Sequence, residues 1–233
     1  NNLMEEICGA RLTYNYIRIG AVGYDILPET CAKIGEFLHH FEPIVDEFNR
    51  LLSGNKIFIE RLAGVAVVSR EDAFSYNLVG PNLRGSGIQW DIRRDIPYSV
   101  YPELEFEVPI GTAHVGALGD SFDRYWVRIR EMQESCKILR QCLKMMPRGP
   151  AISKVPGKFR PPAGECYARV EAPRGDMGFY VVSDGSEYPY RVRIRTGSYT
   201  AMSIIDKLSK GIMLADLIAL IGSLDVDAPE IDR

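Results

Sequence analysis

The sequence has few of the residues that most metal and nucleotide sites need. Of its 233 residues, three are histidines and five are cysteines, and no two cysteines form a C-x-x-C pair. Such scattered thiols are typical of reduced, mostly buried cysteines. The glycine-rich stretch at 80–87 lacks the Lys-Ser/Thr ending of a phosphate loop, and no dinucleotide fingerprint is present. We therefore expect the chain to bind no metal and no flavin of its own.

Excess positive charge and long apolar runs are also missing. The net charge is −3, and no lysine-rich block is available to neutralise phosphates, which argues against nucleic acid as a partner. No apolar run approaches the roughly 18 to 20 residues of a membrane span, and the first residues lack the pattern of a signal peptide. The sequence therefore predicts a globular chain with no membrane-spanning helix.

Helical periodicity dominates the first 150 residues. Residues 2 to about 14 have helical spacing without a cap, so we expect a chain truncated at its N-terminus. Further helices are predicted from Thr30 to about residue 52 and over 70–78 after Ser69, whereas 80–87 and 98–119 are predicted to be irregular. A connection as long as the second is typical of a lid or a docking surface.

The clearest helix is predicted over 121–146, capped by Asp120 or Ser121 and ended by Pro147. Its apolar residues form an unbroken seam that indicates core packing. Its charged residues are interpreted as a solvated face of paired charges, namely Arg124, Arg128, Arg130, Glu131 and Glu134.

A small antiparallel meander is predicted at 166–196, packed beside the long helix. Its strands are 167–171, 178–182 and 190–195, and the turn between the first two holds Arg174 at its tip. Alternation in the last strand places three arginines on one face, Arg191, Arg193 and Arg195. Helices are then predicted from Ser198 or Thr200 to Leu208 and over 212–221, followed by a carboxylate-rich tail.

These patterns together predict an α+β fold that is mainly α. Residues 1–150 form a helical body and 151–163 form a proline-rich linker. Residues 164–233 hold the meander, the last helices and the tail, and we expect them to form one continuous domain with the body.

Five ordered segments resemble one family. They are GARLTYNYIRIG, NLVGPNLRGSGIQWDIRRD, FDRYWVRIREM, VEAPRGDMGFYVVSDGS and ADLIALIGSLDVDAPEIDR. This set resembles the C-terminal two-thirds of the D-type subunit of proton-pumping NADH:quinone oxidoreductase, respiratory complex I, which is related to the large subunit of nickel–iron hydrogenases. The resemblance implies a hydrogenase-like helical body with a small β-meander. The short linker is similar to the compact forms in F420H2 dehydrogenases, so NADH, F420H2 and ferredoxin all stay open as electron donors.

The resemblance also implies partners. In the family this D-type subunit lies peripherally on the cytoplasmic side of the cell membrane, beside an iron–sulfur subunit (B-like), a C-like subunit and the membrane-arm subunit near the quinone entrance. Its interface with the iron–sulfur subunit forms the quinone cavity, so quinone would be the substrate and the iron–sulfur cluster would belong to the partner. The family's N-terminal quinone headgroup loop has no counterpart here. Any NADH would be oxidised by another subunit, and we expect no NADH oxidation by this chain alone.

The hydrogenase relationship identifies candidate site residues. The metal-binding relatives end in Asp-Pro-Cys-x-x-Cys, and the matching positions here are Asp225, Asp227 and Glu230. Carboxylates cannot replace soft thiolates at a nickel–iron centre, so hydrogen chemistry is excluded. Arg174 matches the arginine that overhangs the metal in hydrogenases. We expect Arg174 to lie within reach of Asp225 or Asp227, and these four residues are the candidates for the quinone-cavity wall.

Two other interpretations remain open from the sequence. Arg174 and Asp225 could pair only to close the fold. Alternatively, the chain could be a non-catalytic docking scaffold of a hydrogenase-like membrane complex, in which Arg191, Arg193 and Arg195 meet acidic residues of a partner.

Overall fold

The computed structural model describes residues 1–147 and 149–232. It is an α+β fold, mainly α, as the sequence predicts. The helices are α1 (Asn2–Cys8), α2 (Pro28–Phe48, followed by a π-helical segment, Asn49–Ser53), α3 (Lys56–Leu62), α4 (Arg70–Ser75), α5 (Gly80–Gly85), α6 (Ile92–Asp95), a 3-10 turn (Tyr101–Glu103), α7 (Ser121–Met145), α8 (Gly197–Ser203), α9 (Ile205–Leu208), α10 (Leu214–Leu224) and α11 (Ala228–Asp232). The strands are β1 (Ile17–Arg18), β2 (Ala21–Val22), β3 (Gly164–Ala172), β4 (Gly175–Ser183) and β5 (Arg191–Arg195).

Helix α7 begins where its cap predicts. The Asp120 side chain accepts a hydrogen bond from the backbone N–H of Asp123 at 2.8 Å, and the helix runs to Met145. Helix α4 likewise begins at the predicted cap, because Ser69 Oγ accepts from the Asp72 N–H at 3.1 Å. These side chains satisfy backbone donors that the first helical turn leaves unpaired.

Several helix boundaries differ from the predictions. Helix α1 ends at Cys8, because Gly9 adopts a left-handed conformation. Helix α2 begins at Pro28, and Thr30 lies inside it and donates to Glu6 Oε1 at 2.7 Å. Helix α8 is capped by Thr196 rather than by Ser198 or Thr200. The tail is not free of secondary structure, since its last residues form α11.

The largest correction concerns the glycine-rich stretch, predicted to be irregular. Residues Gly80–Gly85 form a short helix in which every residue is buried. Pro81 suits the first turn of a helix because its missing N–H would be unpaired there. The small residues allow α5 to lie deep in the fold, and it contacts α7 on one side and β4 on the other.

The predicted meander is present as an antiparallel sheet with strand order β3-β4-β5. Ala172 pairs with Gly175 across a two-residue turn formed by Pro173 and Arg174. The expected packing against α7 is replaced by contacts with α5, α6 and α8. The sheet reaches α7 mainly through the side chains of a charged cluster described below.

The main apolar core joins the middle of the chain to its last helices. Buried residues of α4, α5, α8, α9 and α10 form one cluster that includes Ala73, Leu83, Ala201, Leu208 and Leu220. The proline-rich 151–163 segment begins against the small hairpin β1–β2, where Ile152 pairs with Ala21. No helix in the described part of the chain is long and apolar enough to span a membrane.

Candidate functional site

The tip of the β3–β4 hairpin lies against the start of α5. Gly175 has φ +111° and Gly80 has φ +59°, and a Cβ added to Gly175 would lie 2.5 Å from the Gly80 nitrogen. Only residues without a side chain allow two backbones to approach this closely. This contact fixes the position of Arg174.

Arg174 contacts Asp225, as predicted. Its Nε donates to the Asp225 backbone carbonyl at 2.7 Å, and its Nη2 lies 3.6 Å from Oδ1 of the carboxylate. Asp225 ends α10 in a left-handed conformation with φ 52°. Arg128 Nε lies 3.8 Å from the other carboxylate oxygen, so Asp225 sits between two guanidinium groups. With side chains 29% and 44% exposed, Arg174 and Asp225 are accessible to water.

The other two candidates lie elsewhere. Glu230 accepts hydrogen bonds from the Ser198 backbone and hydroxyl, and its backbone carbonyl accepts from Thr196 at 2.7 Å. The Asp227 backbone N–H donates to Ser198 Oγ at 3.1 Å. These contacts attach α11 to α8. The structure therefore brings Arg174 together with Asp225 and leaves Asp227 and Glu230 in the anchoring of the tail.

A buried charged cluster next to this contact was not predicted. Arg84, on α5, is 1% exposed. Its Nη2 lies 2.5 Å from Glu131, and its Nη1 lies 2.8 Å from Glu171 and 3.3 Å from Asp91. Burial alone would lower the pKa of Arg84, but the three carboxylates outweigh it and raise that pKa. The carboxylates come from α7, β3 and the start of α6, so one guanidinium joins four segments.

Asp91 is the most strongly held carboxylate of the cluster. Arg93 binds it with two hydrogen bonds, Nε to Oδ1 at 2.9 Å and Nη2 to Oδ2 at 2.6 Å. Burial acts to raise the pKa of Asp91, but the bonds from Arg93 and the charge of Arg84 prevail and lower it. Asp91 therefore stays ionised at neutral pH.

We expect Asp91→Asn to lower the free energy of unfolding by about 2 to 3 kcal/mol near neutral pH, because charge-assisted hydrogen bonds are lost. Because the pKa of Asp91 is lower in the folded state, its ionised form stabilises the fold at pH values above its unfolded-state pKa of about 3.9. This stabilisation is lost as the pH falls through the folded-state pKa. The free energies of unfolding of the wild type and of Asp91→Asn, measured with urea, should therefore become equal in acid. Asp206→Asn is the control, since Asp206 is 89% exposed beside Lys210. Equal losses at neutral and acid pH would contradict this account.

Two arginines of α7 correct the prediction of a solvated face. Arg124 is 0% exposed and donates to Gly119 O at 2.7 Å, to Ala66 O at 3.1 Å and to Ser223 Oγ. Burial and the nearby charge of Arg128 lower the pKa of Arg124 to about 9, so it remains protonated at neutral pH. Arg128 donates to the Ser223 carbonyl at 2.8 Å. Both side chains thus hold the end of α10, where Asp225 lies.

A cavity of about 520 Å³ opens beside these charges. One wall is largely apolar and comes from α2 and α7, with Phe37 and Phe41 stacked at 5.3 Å between ring centroids. The rest of the lining, here called the charged wall, consists of Arg84, Arg93, Arg128, Glu131, Glu171 and Asp225, with Ala172 and Pro173 from the hairpin tip. The Nε atoms of Arg84 and Arg128 have no hydrogen-bond partner among the described residues. The cavity therefore suits an amphipathic molecule with a polar end.

The sequence held only weak signals for this wall. Arg84 stands among small residues in Gly80–Gly87, where close backbone packing leaves little space for solvent. Glu171 alternates with the apolar Val170 on a strand, a pattern typical of a surface residue. No three His, Cys, Asp or Glu residues in ranges 1–147 and 149–232 are arranged to hold a metal ion.

Comparison with known proteins places the chain in a family. The profile described as "Respiratory-chain NADH dehydrogenase, 49 Kd subunit" matches residues 1–158 and 152–233. The chain is 56% identical over its whole length to a D-type subunit of NADH-quinone oxidoreductase from Anaeromyxobacter dehalogenans (strain 2CP-C), covering 62% of that protein. It is 56% identical to a D-type subunit from Sorangium cellulosum (strain So ce56), with 100% of the chain aligned to 61% of that protein. Identity to the D-type subunit of Bacillus mycoides (strain KBAB4) is 42%, with 99% of the chain aligned to 62% of that protein.

The chain thus spans about three-fifths of the length of these relatives, at 61 to 62%. The family profile covers all of it. The predicted resemblance is confirmed, and the chain belongs to the family of the 49 Kd subunit of respiratory-chain NADH dehydrogenase, which is the D-type subunit of NADH-quinone oxidoreductase.

Proposed function

We propose that this chain forms one wall of the quinone cavity in a proton-pumping NADH:quinone oxidoreductase. Electrons would reach the quinone from the iron–sulfur cluster of a B-like neighbouring subunit, and a C-like subunit and a membrane-arm subunit would complete the surroundings. The chain itself would bind no metal or flavin and would lie peripherally on the cytoplasmic side of the membrane. NADH is the donor named for the relatives, and F420H2 or ferredoxin is the alternative for compact forms.

The cavity beside the Arg174–Asp225 contact carries this proposal. A quinone has an apolar tail and a ring with two carbonyl oxygens that accept hydrogen bonds and, once reduced, protons. The apolar wall with Phe37 and Phe41 fits the first part, and the arginine-rich wall fits the second. Guanidinium groups stabilise negative charge that develops on oxygen during reduction. A contact that only closed the fold would not require an open cavity next to it.

Arg174 does not itself line the cavity but holds Asp225, which does, so we expect Arg174→Ala to lower quinone turnover of the assembled complex by roughly tenfold, the equivalent of one charge-assisted hydrogen bond. The iron–sulfur cluster should stay reducible, as seen by electron paramagnetic resonance. Because the pair with Asp225 is partly exposed, the free energy of unfolding should fall by only about 1 kcal/mol. Normal turnover in a correctly assembled Arg174→Ala complex would count against this site.

The second candidate function, a docking scaffold, is favoured by one observation. Arg191 and Arg193 are exposed on β5, which is an edge strand of the sheet. Arg195 does not share that role, because it pairs with buried Asp176 at 3.5 Å. A scaffold predicts that Arg191→Ala impairs assembly and that Arg174→Ala has no effect on turnover. A quinone-cavity wall predicts that Arg191→Ala assembles normally and that Arg174→Ala lowers turnover. The two variants therefore serve as controls for each other.

A further inference from the structure

Three carboxylates at the charged wall of the cavity share one buried guanidinium. Asp91, Glu131 and Glu171 surround Arg84, and Arg93 is the second guanidinium of this inner group. Arg93 also binds Asp91, and the charge of Arg128 acts on Glu131, whereas Glu171 shares Arg84 with the other two carboxylates. Burying a carboxylate that has only a share of one guanidinium is costly, and binding one proton removes that cost.

Glu171 is the carboxylate best placed to take the proton. Asp91 is held by both arginines, and Glu131 is 19% exposed to water. Glu171 is 4% exposed and has Arg84 as its ion-pair partner, with a longer hydrogen bond from the Ile92 N–H at 3.4 Å. Burial raises the pKa of Glu171, and the charge of Asp91 raises it further, while Arg84 acts in the opposite direction.

The other ionisable groups around Glu171 give its carboxylate no second ion pair among the described residues. Tyr98 lies at its backbone, where the hydroxyl accepts from the Glu171 N–H at 3.2 Å. Asp176 is its cross-strand neighbour on β4 and is paired with Arg169 and Arg195, at 3.2 and 3.5 Å. The second arginine of α6, Arg94, donates instead to the Phe106 carbonyl.

We infer that Glu171 is the proton carrier of this cavity: it binds a proton from water and passes it to the polar end of a molecule held against the apolar wall. This deepens the proposed function and rests on it for the identity of that molecule, a quinone. When two electrons arrive from the iron–sulfur cluster, the O–H bond of Glu171 breaks and its proton bonds to one quinone oxygen. The other oxygen takes its proton from water. The Glu171 carboxylate that remains is paired with Arg84 until it binds another proton.

The first test is infrared difference spectroscopy of the assembled complex between neutral and alkaline pH. The wild-type complex should lose the carbonyl band of a protonated carboxyl group as pH rises, and Glu171→Gln should abolish that change. Glu165→Gln, on the same strand but exposed, should retain it. A band that persists unchanged in Glu171→Gln overturns the inference.

The second test is the pH profile of reduction of a short-chain benzoquinone. A donor must be protonated, so the wild-type rate should fall as pH rises through the pKa of Glu171. General acid catalysis raises a rate by roughly 100-fold or more, so Glu171→Gln should lower the rate by that factor. The fall in rate with rising pH should also disappear in this variant. Glu171→Asp should keep a limb at a shifted pH, and Glu165→Gln should match the wild type.

The outcomes separate the two proposals. A Glu171→Gln complex with wild-type rate and pH profile overturns the role of Glu171 and leaves the quinone cavity standing. A lower rate with an unchanged profile shows a structural role and also overturns it. If a photoreactive quinone analogue does not label the cavity of the wild-type complex, the proposed function fails instead, and the infrared result alone decides whether Glu171 binds the proton.

Discussion

Arg84→Met is expected to lower the free energy of unfolding by about 3 to 5 kcal/mol, because it leaves buried carboxylates without their shared partner. Methionine fills a similar volume, so the loss reports charge more than packing. Urea unfolding measures it directly. Arg191→Met removes an exposed arginine from β5 and should change stability by less than about 0.5 kcal/mol.

A second substitution sharpens this test. If the loss comes from uncompensated charge, adding Glu131→Gln to Arg84→Met should restore part of the stability, since Glu131 lies 2.5 Å from Arg84 in the native chain. A double variant no more stable than Arg84→Met, or an Arg84→Met loss below about 1 kcal/mol, would contradict a dominant electrostatic role for this cluster.

Gly175→Ala should be comparably damaging, with a loss of about 2 to 5 kcal/mol. Its φ of +111° is unfavourable for alanine, and the new Cβ would lie 2.5 Å from the Gly80 nitrogen and 2.8 Å from the Val79 carbonyl carbon. These are backbone atoms, so relief requires moving the hairpin tip away from α5. Arg174 would move with it and lose its contact with the Asp225 carbonyl.

The matched control is Gly35→Ala in α2. An added Cβ there meets nothing within 4 Å, and the backbone is helical. Alanine favours a helix by roughly 0.5 to 1 kcal/mol over glycine, so this variant should be slightly more stable. Thermal unfolding of both variants, with quinone turnover of the complexes, checks the pair. Tolerance of alanine at 175 would mean that the close approach does not position the site.

The elements whose signals are local were predictable from the sequence. Helix α7 combines a 3.6-residue period with a cap at Asp120, and the meander combines alternation with a Pro-Arg-Gly turn. Each signal lies within a few residues of the structure it determines. The contact of Arg174 with Asp225 came from the family resemblance instead, since 51 residues separate the two.

The buried arginines could not be predicted this way. Arginine on a helix is usually a surface residue, and what allows Arg124 to be buried is a set of acceptors contributed by other segments. One of them, Ser223, is 99 residues away. The burial of α5 was missed for a related reason, because glycines that permit tight packing and glycines that make a loop look alike in sequence.

The way Arg84, Arg124 and Asn82 join distant segments bears on how the chain folds. Their partners lie as far as 87, 99 and 142 residues along the chain, respectively. Contacts of such separation form only after long loops close, which favours slow folding. In a partly folded chain, a guanidinium group would be buried with too few hydrogen-bond acceptors, so partly folded states are disfavoured. These long-range contacts, including those of Arg84 at the cavity, should therefore make the body fold in a single cooperative transition, in which the last helices join together with α5 and α7.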